Sequence, residues 1–350
     1  MIRVALVNDL QLAIRSLRHA LAGAANIEIA WTAADGRQAV ERCREDRPDV
    51  VLMDMVMPHM DGATATRRIM RECPCPILVT TVSITDNIDQ VYEALGGGAI
   101  DAVQTPHFSR QGKLEGAAEL VAKIRQILRI ADVSVPHTAP PTMVASAPAP
   151  RARLLPLVAI GSSTGGPLAL KTLLCGLPNA GRYGIVIVQH LGAVFVPGLA
   201  RWLTSETGHA VTAALPGTQP QAGGIYLART SDHLVLDQSG RFQYVREPLD
   251  AVIRPSVDVL FNALVDKPVQ AGVAVLLTGM GSDGADGLGR LRAAGWLTIA
   301  QDQDTSVVWG MPGKAVQQEA ACLVLPITEI AGAVHGAMAR HGHAAMHDQN

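Results

Sequence analysis

Short, largely apolar runs alternate with helical patterns along most of this chain. The early runs are IRVALV, IEIAW, DVVLMD, PILVT and AIDAV, and the later ones are LVAIG, GIVIVQ, GVAVLLTG, LTIAQ and CLVLP. Between the early runs, apolar residues recur at helical spacing, as in Leu12, Leu17 and Leu21. Apolar strands separated by helices are typical of a parallel sheet covered on both faces. The alternation therefore predicts an α/β fold in each half, with an antiparallel excursion in the turn-rich stretch from about 210 to 248.

A proline-rich segment separates the two halves. Between 132 and 150, five prolines lie among Ala, Ser and Thr, with one acid and no base. Such a segment cannot bury enough apolar surface to offset the entropy lost on ordering it, so it predicts a semi-extended linker. The expected divisions are a first domain at 1–130, a linker at 131–152, a second domain at 153–340 and a flexible tail at 341–350.

Composition excludes several functional classes. Hydrophobic residues make up 48% of the 350 and aromatic residues only 3%, which predicts two aliphatic cores. The net charge of −2 and the lack of a basic stripe argue against nucleic-acid binding. The apolar runs are too short to cross a bilayer, and the first residues do not resemble a signal peptide. Five scattered cysteines make a disulfide framework improbable. We therefore expect a cytoplasmic protein without direct membrane insertion.

Polar side chains follow the predicted strands of the first half. Asn8 and Asp9 end the first strand, Asp54 ends the third, Thr81 ends the fourth and Thr105 follows the fifth. Functional groups gather at the carboxyl ends of parallel strands. Carboxylates brought together there repel each other unless a hard cation such as Mg²⁺ lies between them, and a carboxylate beside Mg²⁺ can accept a phosphoryl group. The alternative is that these residues merely solubilise strand ends.

The first 130 residues resemble a response-regulator receiver domain, on the motifs VNDL and VLMDMVMPHMDG and the hydroxyl residue after strand four. The resemblance implies a flavodoxin-like (βα)5 fold with Asp54 as phosphoacceptor. It also implies that Asp9, Asp54 and the carbonyl of Val56 bind Mg²⁺, and that Thr81 and Thr105 occupy the switch positions.

Three positions depart from the receiver pattern. Asn8 replaces the usual first acid, Thr105 replaces the usual lysine, and Ala102 replaces the usual aromatic residue. The first two exchanges remove one negative charge from the metal site and the cation that contacts the phosphoryl group. A degenerate receiver used only for docking is the alternative.

A serine, a histidine and an aspartate follow three predicted strands of the second half. Ser163 lies in the G-x-S-x-G turn 161–165 after LVAIG, His190 follows GIVIVQ, and Asp283 follows GVAVLLTG. An imidazole can take the proton of a serine hydroxyl, and a carboxylate can fix the imidazole tautomer. The order Ser, His, Asp disfavours an α/β hydrolase. A phosphate-binding turn is an alternative, and the residues alone leave Ser162 and Asp286 open as rivals.

The motifs IGSSTGGP, VQHL, LLTGMGSDGADG and VVWGMPGKA resemble the catalytic domain of the CheB family of chemotaxis methylesterases. The resemblance implies a doubly wound, mainly parallel α/β domain that needs no cofactor for ester hydrolysis. It assigns catalysis to Ser163, His190 and Asp283, and it makes the backbone amides of Thr164 and Met280 candidates for the oxyanion hole.

The resemblance also implies a function. Members hydrolyse glutamate γ-methyl esters on methyl-accepting chemoreceptors, and many deamidate receptor glutamines. A CheA-type histidine kinase phosphorylates their receiver, which otherwise covers the active site. Asn8, Thr105 and the stretch LGAVFVPGLARWL are similar to the Wsp-type surface-sensing branch. The competing hypotheses are a catalytically weak, phosphorylation-dependent adaptor and a receiver-linked transcription factor, although no helix-turn-helix pattern supports the latter.

Overall fold

The computed structural model describes residues 1–82, 88–109, 112–128, 155–178, 182–230, 232–249, 253–265, 267 and 272–347. The chain divides into two compact units, Met1–Ser134 and Val135–Asn350. The predicted linker falls outside the described residues. No helix in the described part is long and apolar enough to cross a membrane.

The first unit is a five-stranded parallel sheet with helices between its strands, which confirms the predicted flavodoxin-like fold. Its strand order is β2-β1-β3-β4-β5, and a small antiparallel hairpin, β6–β7, follows β5. The strands are β1 (Ile2–Val7), β2 (Ile27–Ala33), β3 (Val50–Asp54), β4 (Ile77–Thr81), β5 (Asp101–Gln104), β6 (His107–Phe108) and β7 (Leu114–Glu115). The helices are α1 (Gln11–Ala22), α2 (Gly36–Glu45), α3 (Gly62–Glu72), α4 (Ile88–Gly96) and α5 (Ala117–Leu128).

Helix α1 buries a different face from the one that the leucine spacing suggested. Leu17 and Leu21 are buried with Ile14 against the sheet, whereas Leu12 is 70% exposed. Because a helix turns 100° per residue, Leu12 lies about 140° away from Leu17 around the axis. The buried face is therefore set by residues 13, 14, 17, 20 and 21 rather than by the leucines alone.

The second unit is built on a seven-stranded sheet that is parallel throughout, in the order β10-β11-β9-β8-β14-β15-β16. The strands are β8 (Leu157–Ser162), β9 (Gly184–Gln189), β10 (Val211–Ala213), β11 (Ile225–Leu227), β12 (His233–Leu236), β13 (Phe242–Val245), β14 (Gly272–Leu276), β15 (Leu297–Gln301) and β16 (Leu323–Leu325). The helices are α6 (Gly166–Cys175), α7 (Val196–Thr207), α8 (Val257–Val265), α9 (Ala285–Ala293), α10 (Met311–Gln317) and α11 (Ile327–His347).

The region 210–248 holds more than the expected antiparallel excursion. Strands β12 and β13 form an antiparallel hairpin, as predicted, whereas β10 and β11 extend the main sheet in parallel. Each of these two extra strands has only three residues, too few to give a strand pattern in the sequence. At the far end of the chain, α11 continues through 341–347, part of the segment expected to be a tail. Alanines in that stretch favour the helix.

The central strands place their carboxyl ends side by side. Ser162 pairs with Gln189 across β8 and β9, and Gly161 pairs with Leu276 across β8 and β14. The backbone N–H of His190 donates to the carbonyl of Ser162 at 2.9 Å. The loops that leave β8, β9 and β14 therefore start at one edge of the sheet.

Candidate active site

Ser163 lies in the turn between β8 and α6, and its neighbour Ser162 is occupied elsewhere. Ser162 is fully buried, and its hydroxyl donates to Gln189 Oε1 at 2.6 Å. The same amide returns a hydrogen bond from Nε2 to the carbonyl of Ser163 at 2.8 Å. Ser163 itself is partly exposed. Of the two serines that the residues alone left open, Ser162 is buried with its hydroxyl bonded to Gln189, and Ser163 is the one that is partly exposed.

Thr278 holds the turn that carries Ser163 through two hydrogen bonds. Its carbonyl accepts from the Ser163 N–H at 3.0 Å, and its hydroxyl donates to the carbonyl of Thr164 at 3.0 Å. Gln301 Oε1 in turn accepts from the Thr278 N–H at 2.8 Å. Buried polar groups with all partners in place rigidify their surroundings, so this network holds the turn in one conformation.

His190 and Asp283 form a buried pair beside this turn. His190 Nε2 lies 2.8 Å from Asp283 Oδ2, and the two side chains are 9% and 11% exposed. Among the described residues, no hydrogen bond joins His190 to Ser163 Oγ, a contact that often tightens only when substrate binds. Because Nε2 faces the carboxylate, Nδ1 is the nitrogen that remains for Ser163.

Asp283 accepts hydrogen bonds from the N-terminus of α8 as well as from His190. The Ser256 hydroxyl and the Asp258 N–H donate to Oδ1 at 2.7 and 3.1 Å, and the Val257 N–H donates to Oδ2 at 2.6 Å. Burial alone would raise the pKa of Asp283, but the hydrogen bond and charge of His190, with the Ser256 and Val257 donors, lower this pKa to about 2. The carboxylate is therefore ionised at neutral pH.

Asp286, the rival acid, has a different environment. It is exposed, and it accepts a hydrogen bond from Gln318 Nε2 at 2.8 Å on the surface of the domain. The acid that contacts His190 is Asp283.

The two residues whose amides are predicted to donate to the oxyanion lie in the turn 161–165 or close to it. Thr164 directly follows Ser163, and Met280 follows Gly279, whose Cα packs so closely that an added Cβ would lie 2.7 Å from Ser163 Cβ. The neighbouring Ser163 amide donates to the carbonyl of Thr278. The amides of Thr164 and Met280 stay predictions for the oxyanion donors.

Sequence reasoning gave no role to Ser256, Gln189, Thr278 or Gln301. For Ser256 the sequence held half of the signal, because Pro255-Ser256-Val257-Asp258 is typical of a helix start with a serine cap. Its partner Asp283 lies 27 residues away and becomes visible only in three dimensions.

The receiver unit brings its predicted site residues to one edge of its own sheet. Asp54 is buried, and its Oδ1 accepts from the Met55 N–H at 2.9 Å. The Thr105 N–H donates to the carbonyl of Thr81 at 2.9 Å. Burial, opposed by the Met55 hydrogen bond, and the charge of Asp9 together raise the pKa of Asp54 to about 6. Two carboxylates that repel each other suit a hard divalent cation, so Asp9 and Asp54 fit Mg²⁺.

Two of the three departures from the receiver pattern, Asn8 and Thr105, are buried at this edge. Asn8 Oδ1 accepts from the Leu10 N–H at 2.8 Å, whereas Asn8 Nδ2 and Thr105 Oγ1 have no hydrogen-bond partner within the described residues. A carboxylate and an ammonium are thus replaced by two neutral groups.

Comparison with known proteins agrees with both halves of the chain. Residues 158–334 match the CheB methylesterase family model, and residues 4–114 match the response regulator receiver domain. A Burkholderia thailandensis protein named protein-glutamate methylesterase/protein-glutamine glutaminase 4 is 47% identical over 328 residues, which cover 94% of this chain and 95% of the relative. A Pseudomonas fluorescens relative of the same kind is 45% identical over 329 residues, covering 94% of this chain and 97% of its own.

A solved structure resembles the second unit. The crystal structure of the Thermotoga maritima CheB methylesterase catalytic domain is 34% identical, with a TM-score of 0.50. The match covers 51% of this chain and 97% of that domain. The chain therefore belongs to the CheB methylesterase family and carries a response regulator receiver domain ahead of its methylesterase domain.

Proposed function

We propose that this protein acts in the cytoplasm and hydrolyses glutamate γ-methyl esters on the cytoplasmic helices of a methyl-accepting chemoreceptor. The observation that carries the proposal is the buried His190–Asp283 pair beside the partly exposed Ser163. A weak serine nucleophile needs such a base, and the base needs an ionised partner. The names of the relatives supply the substrate class.

The reaction follows from the roles of the three side chains. His190 Nδ1 takes the proton of Ser163 as Oγ attacks the ester carbonyl, and Asp283 holds the imidazolium that forms. The amides of Thr164 and Met280 donate to the oxyanion. Methanol leaves with the proton from His190, and the acyl-enzyme remains on Ser163. Water, activated by the same imidazole, then releases the glutamate carboxylate and restores the serine.

The same groups support deamidation of glutamine. Attack of Ser163 on the side-chain amide would release ammonia in place of methanol and give the identical acyl-enzyme. The second half of the relatives' name favours this activity. Ammonia release from an unmethylated receptor fragment, compared between wild type and Ser163→Ala, tests it.

The receiver domain supplies control. A CheA-type histidine kinase donates a phosphoryl group to Asp54, and Asp9, Asp54 and the Val56 carbonyl would hold the Mg²⁺ that assists this transfer. Bound Mg²⁺ would offset the negative charge of the carboxylates and the phosphoryl oxygens. Thr81 and Thr105 sense the modified Asp54. The functional divisions are the receiver at 1–130, a linker at 131–152, the catalytic domain at 153–340 and a tail at 341–350.

Methanol release from a methylated chemoreceptor cytoplasmic fragment tests the proposal. Ser163→Ala should lower kcat by a factor of about 10³ or more. Ser162→Ala is the matched control, because it removes the neighbouring hydroxyl that only contacts Gln189. The kcat of Ser162→Ala should fall by no more than about tenfold, because this variant only makes the turn less rigid. Near-normal turnover by Ser163→Ala would overturn the assignment, and no release by wild type would favour the adaptor hypothesis.

A further inference from the structure

Ser256 contacts both the candidate catalytic acid and the helix that supports it. Its hydroxyl lies 2.7 Å from Asp283 Oδ1 and 3.3 Å from the N–H of Val259, in the first turn of α8. Ser256 is buried. Within the described residues, it is the one side chain besides His190 that hydrogen-bonds the Asp283 carboxylate.

The helix dictates the direction of this hydrogen bond. The Val259 N–H can only donate, so the Ser256 oxygen accepts from it, as a helix N-cap does. A hydroxyl has one proton, and the ionised Asp283 can only accept it. Each carboxylate oxygen thus accepts from one side chain and one amide of α8: Oδ2 from His190 and Val257, and Oδ1 from Ser256 and Asp258.

Ser256 also contacts a buried histidine, through its backbone N–H rather than its hydroxyl. The Ser256 N–H donates to His233 Nδ1 at 3.0 Å, and His233 is fully buried on β12. An Nδ1 that accepts must carry no proton, so His233 is neutral. Burial and the charge of Arg254 lower the pKa of His233, in agreement with that state. The β12–β13 hairpin, which lies outside the main sheet, therefore connects to the active site through Ser256.

We propose that Ser256 is a positioning residue of this hydrolase, which orients the Asp283 carboxylate toward His190, and that His233 anchors Ser256 in that place. The inference rests on the proposed function, because it assigns a role relative to the Ser163–His190–Asp283 triad. It adds Ser256 and His233 to the three side chains of the proposed triad.

Loss of the Ser256 hydroxyl has two consequences for the reaction. The carboxylate gains freedom to turn away from His190, which misplaces the base. It also loses a donor, so it becomes more basic and holds the His190 Nε2 proton more tightly. The acid limb of the pH profile then moves to higher pH. The other titratable groups that interact with Asp283, namely Asp258 and the neutral His233, are unchanged in this variant.

The test measures methanol release by the full-length protein over a range of pH. Ser256→Ala should lower kcat about 10- to 100-fold with KM within about twofold, and should shift the acid limb upward. Ser256→Thr, which keeps the hydroxyl, should retain at least about a third of kcat. His233→Asn, which offers an acceptor oxygen near the place of Nδ1, should lose less activity than His233→Ala. Ser205→Ala is the control for loss of a helix-associated serine hydroxyl, because exposed Ser205 donates to the Trp202 carbonyl within α7 and has no hydrogen bond to Asp283 among the described residues.

A double-mutant cycle separates positioning from capping. In an Asp283→Asn background, Ser256→Ala should cost less than about threefold, because the carboxylate on which it acts is gone. Full additivity, or a Ser256→Ala enzyme that melts earlier but keeps kcat and its acid limb, would overturn the inference. If Ser163→Ala is inactive while Ser256→Ala is normal, only this inference fails. If Ser163→Ala stays active, the proposed function itself fails.

Discussion

At the scale of single residues, Gly279 lets the backbone pack closely against Ser163, and Gly310 lets it pack closely against the segment 279–281. A Cβ on Gly279 would lie 2.3 Å from Met311 Sδ and 2.7 Å from Ser163 Cβ. A Cβ on Gly310 would lie 2.8 Å from the Gly279 oxygen and 2.9 Å from the Gly281 nitrogen. Both contacts of Gly310 are with backbone atoms, which cannot turn aside. Gly310 therefore sets the position of the segment that carries the Met280 amide.

We predict that Gly310→Ala displaces this segment and lowers kcat about 10- to 100-fold, with a loss of about 1–3 kcal/mol in stability. Gly332→Ala is the matched control, since Gly332 lies in α11 with nothing within 4 Å of an added Cβ. That control should keep full activity and gain up to about 1 kcal/mol. Methanol release and thermal unfolding measure both variants. An unchanged kcat in Gly310→Ala would show that the position of the Met280 segment does not affect catalysis.

The sequence predicted the candidate site residues at the strand ends, but not the residues that hydrogen-bond to them. Ser163, His190 and Asp283 could be selected because each follows a recognisable buried strand. The choice between Ser162 and Ser163 depended on which hydroxyl is buried, and the bond from Ser256 to Asp283 depended on how α8 packs. Neither leaves a periodic pattern, because both arise from contacts between residues distant in sequence.

At the scale of elements, α8 and α9 cap each other with carboxylates. Asp283, just before α9, accepts from the Val257 and Asp258 amides of α8. Asp258, in the first turn of α8, accepts from the Gly287 N–H of α9 at 2.7 Å. Negative charge at a helix N-terminus is stabilising, but two carboxylates this near also repel each other. Burial, opposed by the Gly287 hydrogen bond, and the charge of Asp283 raise the pKa of Asp258 to about 6.

We predict that Asp258→Asn stabilises the catalytic domain, and that the gain depends on pH. Because folding raises the pKa of Asp258, this residue makes its full contribution to the stability of the wild type below pH 3.8. That contribution is lost as the pH rises to about 6. Asparagine keeps the acceptor for Gly287 without the charge. The stability gain of Asp258→Asn over wild type should therefore grow between about pH 4 and 6. Above pH 6 it should stay constant at ~1 kcal/mol after solvent screening. Thermal unfolding at several pH values measures it, and a gain that is equal at pH 4 and 8 would contradict the account.

The predictability of strands followed the apolar runs of the sequence. Every predicted strand of four or more residues in the two main sheets forms, because a buried parallel strand leaves a continuous apolar run. The three-residue strands β10 and β11 left no such run. The true face of α1 was also missed, since alanine and isoleucine, not Leu12, complete its buried stripe.

At the scale of the whole molecule, the receiver edge has an altered charge pattern. Asn8 stands where the receiver pattern has an acid, and Thr105 stands where it has a lysine. The exchange removes one negative and one positive charge, so the net charge of the site is the same as in the usual pattern. Phosphorylation thus remains compatible with this edge, although a bound Mg²⁺ would meet one carboxylate fewer than in the usual pattern.

We predict that Asn8→Asp strengthens Mg²⁺ binding by the full-length protein about 3- to 10-fold, as an added nearby charge should. In the absence of Mg²⁺, the same variant should melt earlier, because a further buried carboxylate repels Asp9 and Asp54. Asn26→Asp is the matched control, since this exposed residue lies at the opposite end of β1. Calorimetric titration and thermal unfolding are the measurements. Equal Mg²⁺ affinity in Asn8→Asp and wild type would argue that Asn8 lies outside the metal site.

The most direct test of the account is methanol release from a methylated chemoreceptor fragment, measured with and without a small phosphodonor. Wild type should release methanol and accelerate with the phosphodonor. Asp54→Asn should keep its basal rate but lose the acceleration, and Ser163→Ala should be inactive in both conditions. Release that persists in Ser163→Ala would contradict the catalytic claim, and acceleration that persists in Asp54→Asn would contradict the claim that the receiver controls it.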